Sequence, residues 1–199
     1  PLYSSAASDV YKRQCLFSED IDVTKYDFIY ACAQKNFGPS GITLAIAKKE
    51  LLEKSNPDLP NILKYDAHAN EGSMLNTPNT FGWYVAGKMF DWYLENGGVA
   101  EMEKQSKAKT AMLYDLIDKS DFYVNPVNPE QRSINNVVFT IVNSELEKVF
   151  LEEAEKADLR YLKGHRTVGG MRASIYNSMK MESVSALKDF MENFEKNYG

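Results

Sequence analysis

Two rhythms of apolar and polar positions organise this chain. The run 28–33 (Phe-Ile-Tyr-Ala-Cys-Ala) is short, apolar and β-prone, which predicts a strand buried on both faces. Gln34-Lys35-Asn36 breaks it abruptly, and Gly38-Pro39-Ser40-Gly41 is turn chemistry. A second apolar run, 42–47, predicts another strand. The charged stretch 48–55, carrying Leu51 and Leu52, predicts a short helix that Asn56-Pro57-Asp58-Leu59-Pro60 ends. Residues 61–74 show no period and read as an extended surface loop, in which His68 is assigned no role. Phe81, Val85, Met89 and Trp92 then recur at helical spacing, with Thr77 expected as N-cap, Pro78 as first helical residue and Asn96-Gly97-Gly98 as the stop. A further helix over 98–120 places Val99, Met102, Ser106, Leu113 and Leu116 or Ile117 on one face.

The pattern continues as strand and helix in alternation. Residues 122–124 and 136–142 predict strands. Ser144 and Glu147 have the spacing of a capping box, opening a helix that buries Leu146, Phe150, Ala154 and Ala157. Residues 171–176 alternate, with Arg172, Ser174 and Tyr176 on one face and Met171, Ala173 and Ile175 on the other. The helix over 182–198 carries Val184, Leu187, Met191 and Phe194 in one stripe. The elements together predict an α/β protein, with a domain boundary near Gly97-Gly98.

With 199 residues and 44% hydrophobic content, the chain can bury one sizeable core or two small ones. A net charge of −5 without a basic stripe argues against a nucleic-acid partner. No apolar run reaches membrane-spanning length. Two cysteines, Cys15 and Cys32, and only two histidines offer no metal-ligand spacing, and a reduced, cytoplasmic setting is expected. Cys32 reads as a small apolar filler of the first strand. Residues 1–14 lack an initiator methionine and the pattern of a signal peptide. They are expected to be a non-native leader.

Three stretches carry chemistry. Lys35, at a strand end facing a crevice, is placed where a partly buried amine can attack a carbonyl; a solvated surface lysine is the plain alternative. Asn76 and Thr77 precede a helix, a place suited to phosphate, although capping alone explains the threonine. Gly164-His165-Arg166-Thr167-Val168-Gly169-Gly170-Met171-Arg172 packs a histidine and two arginines among three glycines. Such a set suits a small dianion, since arginine grips carboxylate or phosphate bidentately. An ordinary salt-bridged surface loop is the other reading.

The string Ala33-Gln34-Lys35-Asn36-Phe37-Gly38-Pro39-Ser40-Gly41, followed in order by Asn76-Thr77-Pro78, Gly97-Gly98-Val99-Ala100-Glu101-Met102 and the segment 164–177, resembles phosphoserine aminotransferases. These are class-V, fold-type I pyridoxal-phosphate enzymes. The resemblance runs from about Ile21 to Gly199. It implies the end of a large mixed-sheet cofactor domain over 15–97 and a small α/β domain over 98–199. It implies that Lys35 carries pyridoxal 5′-phosphate, that Gln34 contacts it, and that Asn76 and Thr77 reach the cofactor phosphate of the neighbouring subunit in a homodimer. It implies that Arg172 takes the substrate α-carboxylate, while His165 and Arg166 recognise the phosphate or carboxylate at the other end.

The activity so implied is transfer of the amino group of L-glutamate to 3-phosphohydroxypyruvate, giving O-phospho-L-serine and 2-oxoglutarate in serine biosynthesis, with pyridoxine synthesis as an associated role. The family's ring-nitrogen aspartate, stacking aromatic, phosphate cup and first substrate arginine lie upstream in the family and are not in this sequence. Asp20 and Asp22 do not match that aspartate's context. The chain is therefore expected to be an N-terminally truncated piece that is not competent alone, with a lysine strand left open at its edges. Another fold-type I transaminase, or a non-catalytic dimerisation or binding module, are the alternatives.

Overall fold

The structure is a computed structural model, and it describes the backbone of residues 9–11 and all of residues 16–199. Most of the expected leader, and Cys15, lie outside the described residues. The chain divides into two compact units, Pro1–Val99 and Ala100–Gly199.

In the first unit, β1 (Asp9–Tyr11), β2 (Phe28–Cys32) and β3 (Thr43–Ala47) form a mixed sheet in that order. β1 runs parallel to β2, and β3 antiparallel, pairing Phe28 with Ala47 and Cys32 with Thr43. The lysine-bearing strand is thus flanked on both sides, not left with open edges, because β1 and β3 take up its ladder. Nor is it buried on both faces. Ile29 and Ala31 are fully buried, whereas Phe28, Tyr30 and Cys32 on the other face are half-buried. There the Phe28 ring packs against Tyr65 at 4.9 Å, and the Cys32 thiol sits 3.7 Å from the Thr43 hydroxyl.

The charged stretch after β3 gives one helical turn, α1 (Lys49–Leu52). Residues 61–74 are not an extended loop. They form a short 3-10 turn and then α2 (Tyr65–Asn70), in which the His68 amide donates to the Lys64 carbonyl. Six residues make fewer than two turns, too few for a period to show.

α3 (Thr80–Glu95) starts later than expected. Its N-cap is Asn79, whose side-chain oxygen accepts the Gly82 amide at 3.1 Å, so Thr77 and Pro78 lie ahead of the helix. The buried face is also not the predicted one. Gly82, Ala86 and Tyr93 are buried, while Phe81 is 71% exposed. Small residues win this face because Gly38 and the Ile42 side chain approach it closely. A Cβ on Gly82 would fall 2.9 Å from Ile42, and one on Gly38 would sit 3.5 Å from the Ala86 Cβ.

In the second unit, α4 (Gly98–Lys119) lays Met102, Ser106, Leu113, Leu116 and Ile117 inward, as its spacing predicts. β4 (Tyr123–Val124), β5 (Asn136–Ile141) and β6 (Met171–Ser174) form an antiparallel sheet in that order. α5 (Leu146–Lys156) buries Phe150 and Ala154. Its expected capping box is not formed: Glu145 precedes the helix without a side-chain cap, and Asn143 receives the Glu145 amide instead. Ala157 ends the helix exposed. α6 (Met181–Tyr198) buries Val184, Leu187, Met191 and Phe194, its predicted stripe. Phe122, Tyr123, Phe139, Phe150 and Phe194 pack edge to face among these aliphatics. Among the described residues, no helix is long and apolar enough to cross a membrane.

Candidate active site

Lys35 closes a single 3-10 turn, Ala33–Lys35, that continues directly from β2. Two amides, Phe37 and Gly38, converge on the Ala33 carbonyl at 3.0 and 3.1 Å. Phe37 is 1% exposed and its ring meets Phe17 at 5.3 Å. The lysine therefore stands half-buried on a turn whose following residues are fixed in the core, with Gln34 beside it exposed. Gly41 (φ +97) then turns the chain where only glycine is unstrained. The Asn79 amide fills the space beside it, since a Cβ on Gly41 would lie 2.9 Å from the Asn79 Nδ2. The lysine turn and the start of α3 are locked together by this contact. Asn76 and Thr77 are exposed in the lead-in to α3, where the Asn76 amide donates to the Thr77 carbonyl at 3.3 Å.

The arginine string forms a tight hairpin. Gly164 N donates to Gly170 O at 2.8 Å, and Arg172 N to Leu162 O at 2.7 Å. At its tip, the amides of Val168 and Gly169 both donate to His165 O, and His165 Nδ1 lies 2.7 Å from the Thr167 hydroxyl. His165 and Arg166 are exposed there. The glycines are required: Gly170 (φ +63) passes so close to β5 that a Cβ would lie 2.8 Å from Phe139 O, and a Cβ on Gly164 would run into the Gly169 carbonyl.

Arg172 stands at the base of the hairpin on β6, on the face with Ser174 and Tyr176, as the alternation predicts. It lines a cleft of about 480 Å³ with Arg160, Tyr161, Ser174, Tyr176 and Ser183. Its Nε is buried and, among the described residues, has no hydrogen-bond partner. A buried, unpaired donor of a permanently charged group is costly unless an acceptor arrives to meet it.

Lys35, Gln34, Asn76 and Thr77 thus belong to the first unit, and His165, Arg166 and Arg172 to the second. Two residues escaped the sequence reading. Tyr93 on α3 donates its hydroxyl to the Asn36 carbonyl at 2.7 Å, and its place in an aromatic run masks it as packing. Lys109 on α4 is 2% exposed, and its ammonium donates to the carbonyls of Tyr176 and Met179 at 3.0 Å and Asn177 at 3.5 Å. Burial holds its pKa below the usual lysine value. Its signal is a lysine at the inward heptad position between Ser106 and Leu113, which charge-counting assigns to the solvated face.

The family model described as aminotransferase class-V matches residues 9–187. The chain belongs to the class-V aminotransferases. It is 49% identical over its whole length to a phosphoserine aminotransferase of Acinetobacter baylyi (strain ATCC 33305 / BD413 / ADP1), of which it covers 54%. Phosphoserine aminotransferase from Bacillus circulans subsp. alkalophilus superimposes with a TM-score of 0.95 at 38% identity, covering all of this chain and 55% of that one. A pyridoxal-phosphate-bound phosphoserine aminotransferase from Trichomonas vaginalis matches with a TM-score of 0.86 at 35% identity, over 92% of this chain and 53% of that one. The chain spans about half the length of the relatives it matches. The fold-type I architecture expected of it stands on these superpositions. The family match also takes in residues 9–14, which the sequence reading had placed outside the family pattern.

Proposed function

We propose that this class-V aminotransferase chain carries the lysine-bearing and arginine-bearing parts of a phosphoserine transaminase. The reaction moves the amino group of L-glutamate to 3-phosphohydroxypyruvate, giving O-phospho-L-serine and 2-oxoglutarate. The observation that carries the reading is Arg172: a guanidinium on a rigid strand, lining a cleft, with a buried Nε that awaits an acceptor. A substrate carboxylate supplies that acceptor, and bidentate pairing orients it. His165 and Arg166, at the hairpin tip, offer donors for the phosphate at the other end of the substrate.

The residues present fit pyridoxal 5′-phosphate at its covalent end. Lys35 offers a primary amine on a fixed turn, Gln34 stands beside it, and Asn76 and Thr77 offer exposed amide and hydroxyl donors for the cofactor phosphate. When bound, that group supplies an electron sink for charge developing at the substrate Cα. Lys35 Nζ is the covalent anchor and the base that takes the Cα proton and returns it. The buried Asn36 and Phe37 hold the lysine backbone still while the amine moves the proton. Arg172 fixes the carboxylate.

The same reading makes the working unit a homodimer with Asn76 and Thr77 serving the partner's cofactor. The outward face of α3 supports it, with Phe81 71%, Tyr84 63% and Leu94 79% exposed. A cytoplasmic setting, a role in serine biosynthesis and a divide near Gly97-Gly98 between cofactor and small domains belong to the same proposal.

The test is to mix the 199-residue chain with pyridoxal phosphate, reduce with borohydride and map the adduct by peptide mass. A single adduct on Lys35, lost in Lys35→Ala, is expected. No adduct, or scattered labelling of many lysines, overturns the reading for this chain.

A further inference from the structure

We infer that Tyr93 is a positioning residue for Lys35, acting through the Asn36–Phe37 peptide, the second after the lysine. The inference rests on the proposed role of Lys35 and adds a residue to it. Asn36 is 8% exposed and is held from two sides. Its side-chain amide donates to the Leu16 carbonyl at 2.9 Å and the Ser18 hydroxyl at 3.0 Å. Its main-chain carbonyl accepts from Tyr93 Oη at 2.7 Å, across 57 residues of sequence. Tyr93 is itself 3% exposed.

The ring alone does not explain this tyrosine. Phe17 stacks on Tyr93 at 5.3 Å and touches Phe37 and Phe90 at 5.3 and 5.4 Å, and Trp92 meets Tyr93 edge-on at 5.3 Å. A phenylalanine at 93 would fill the same space in this cluster. The hydroxyl donates to the carbonyl one peptide beyond Lys35. A hydrogen bond in such apolar surroundings is strong. Fixing the Asn36–Phe37 peptide, with the Asn36 side chain held as well, restrains the backbone from which the Lys35 side chain leaves. The reach of Nζ is then set by side-chain torsions alone, so fewer orientations are lost when it bonds to a carbonyl carbon.

The experiment compares wild type, Tyr93→Phe and Tyr123→Phe in the full chain. Tyr123→Phe is the control, because it deletes an equally buried hydroxyl-to-carbonyl bond, Tyr123 to Met191 at 2.9 Å, in the other unit. Two readouts are taken: hydrogen exchange of the Phe37 and Gly38 amides, and the rate at which pyridoxal phosphate is trapped on Lys35 by borohydride relative to the other lysines. Tyr93→Phe is expected to speed exchange at 37 and 38 about tenfold and slow Lys35 trapping about fivefold, leaving other lysines unchanged. Tyr123→Phe is expected to change neither. Ser18→Ala, which loosens Asn36 from its other side, should move both readouts in the same direction by less. Unchanged exchange at 37 and 38, or equal Lys35 trapping in Tyr93→Phe and wild type, overturns the inference. Should wild type show no selective Lys35 adduct, the proposed function fails, and the exchange readout alone decides whether Tyr93 fixes the turn.

Discussion

Lys109→Met is expected to destabilise the chain, and to do so more as pH rises. The wild-type ammonium is 2% exposed and serves three carbonyls, two at 3.0 Å and one at 3.5 Å. Methionine keeps the length of the stem and removes the donor. Two effects oppose each other. The variant no longer has to desolvate a charge, a gain of a few kcal/mol. It loses three hydrogen bonds from a charged donor, at about 1.5–3 kcal/mol each, although the Tyr176 carbonyl keeps the Met179 amide at 2.9 Å. The second effect wins by roughly 2 kcal/mol, which for a unit of this size lowers Tm by about 10 °C. Burial sets the folded pKa of Lys109 below the usual lysine value. Between that depressed pKa and about 10.4, the unfolded wild-type chain binds more protons than the folded one, so its stability climbs with pH. The variant has no such climb. Denaturant unfolding of both chains from pH 7 to 11 should show a gap that is constant at the low end and widens at the high end, with faster amide exchange over 176–179. A gap that narrows with pH, or a Tm within two or three degrees of wild type, would refute the reasoning.

Other expectations follow from single contacts. Arg172→Met removes a buried donor that lacks a partner among the described residues, and should raise Tm by a few degrees in a thermal melt while abolishing retention of O-phospho-L-serine by calorimetry. Gly164→Ala drives a Cβ onto the Gly169 carbonyl and to 2.7 Å from Gly170 O; a cost on the order of 3 kcal/mol is expected in denaturant melts, with loss of the hairpin's amide protection. Asp118 receives both Arg132 guanidinium nitrogens, at 2.6 and 2.7 Å, and this hydrogen bonding holds its carboxyl below the usual value. A depressed acid stabilises above its unfolded pKa and ceases to as pH falls through the folded one. Asp118→Asn should therefore cost about 1 kcal/mol near pH 7, discounted because the carboxylate is half exposed, and progressively less as pH falls through the folded value. Asn79→Ala should cost about 1 kcal/mol and loosen the first turn of α3, read by exchange at Gly82.

Elements that bury one continuous stripe were legible in the sequence. The four inward residues of α6 and the alternation of β6 around Arg172 are found where periodicity put them, because each packs large apolar side chains against a single core. α3 failed for the opposite reason. Its inward face is built of Gly82 and Ala86, and a reading by apolar bulk picks the solvent face. The cap failed with it: Thr77 and Asn79 both precede an apolar run, and only the approach of Gly41 selects the asparagine. Lys35 and the arginines were visible as chemistry set in turn residues. Tyr93 and Lys109 were not, since each acts on a carbonyl 57 or more residues away in sequence, a pairing that only the tertiary fold creates.

Asn79, Gly41 and Gly82 share one small volume, with the asparagine amide filling what two missing side chains leave open. The consequence is evolutionary. Gly41 is fixed by its backbone conformation, which leaves positions 79 and 82 to trade bulk. A lineage that puts alanine at 82 must first accept a smaller cap at 79 and a shift of the Ile42 side chain, and the reverse order passes through a clash. In diverged descendants of this fold, the two positions should change as a pair, recording the order in which the steps were open.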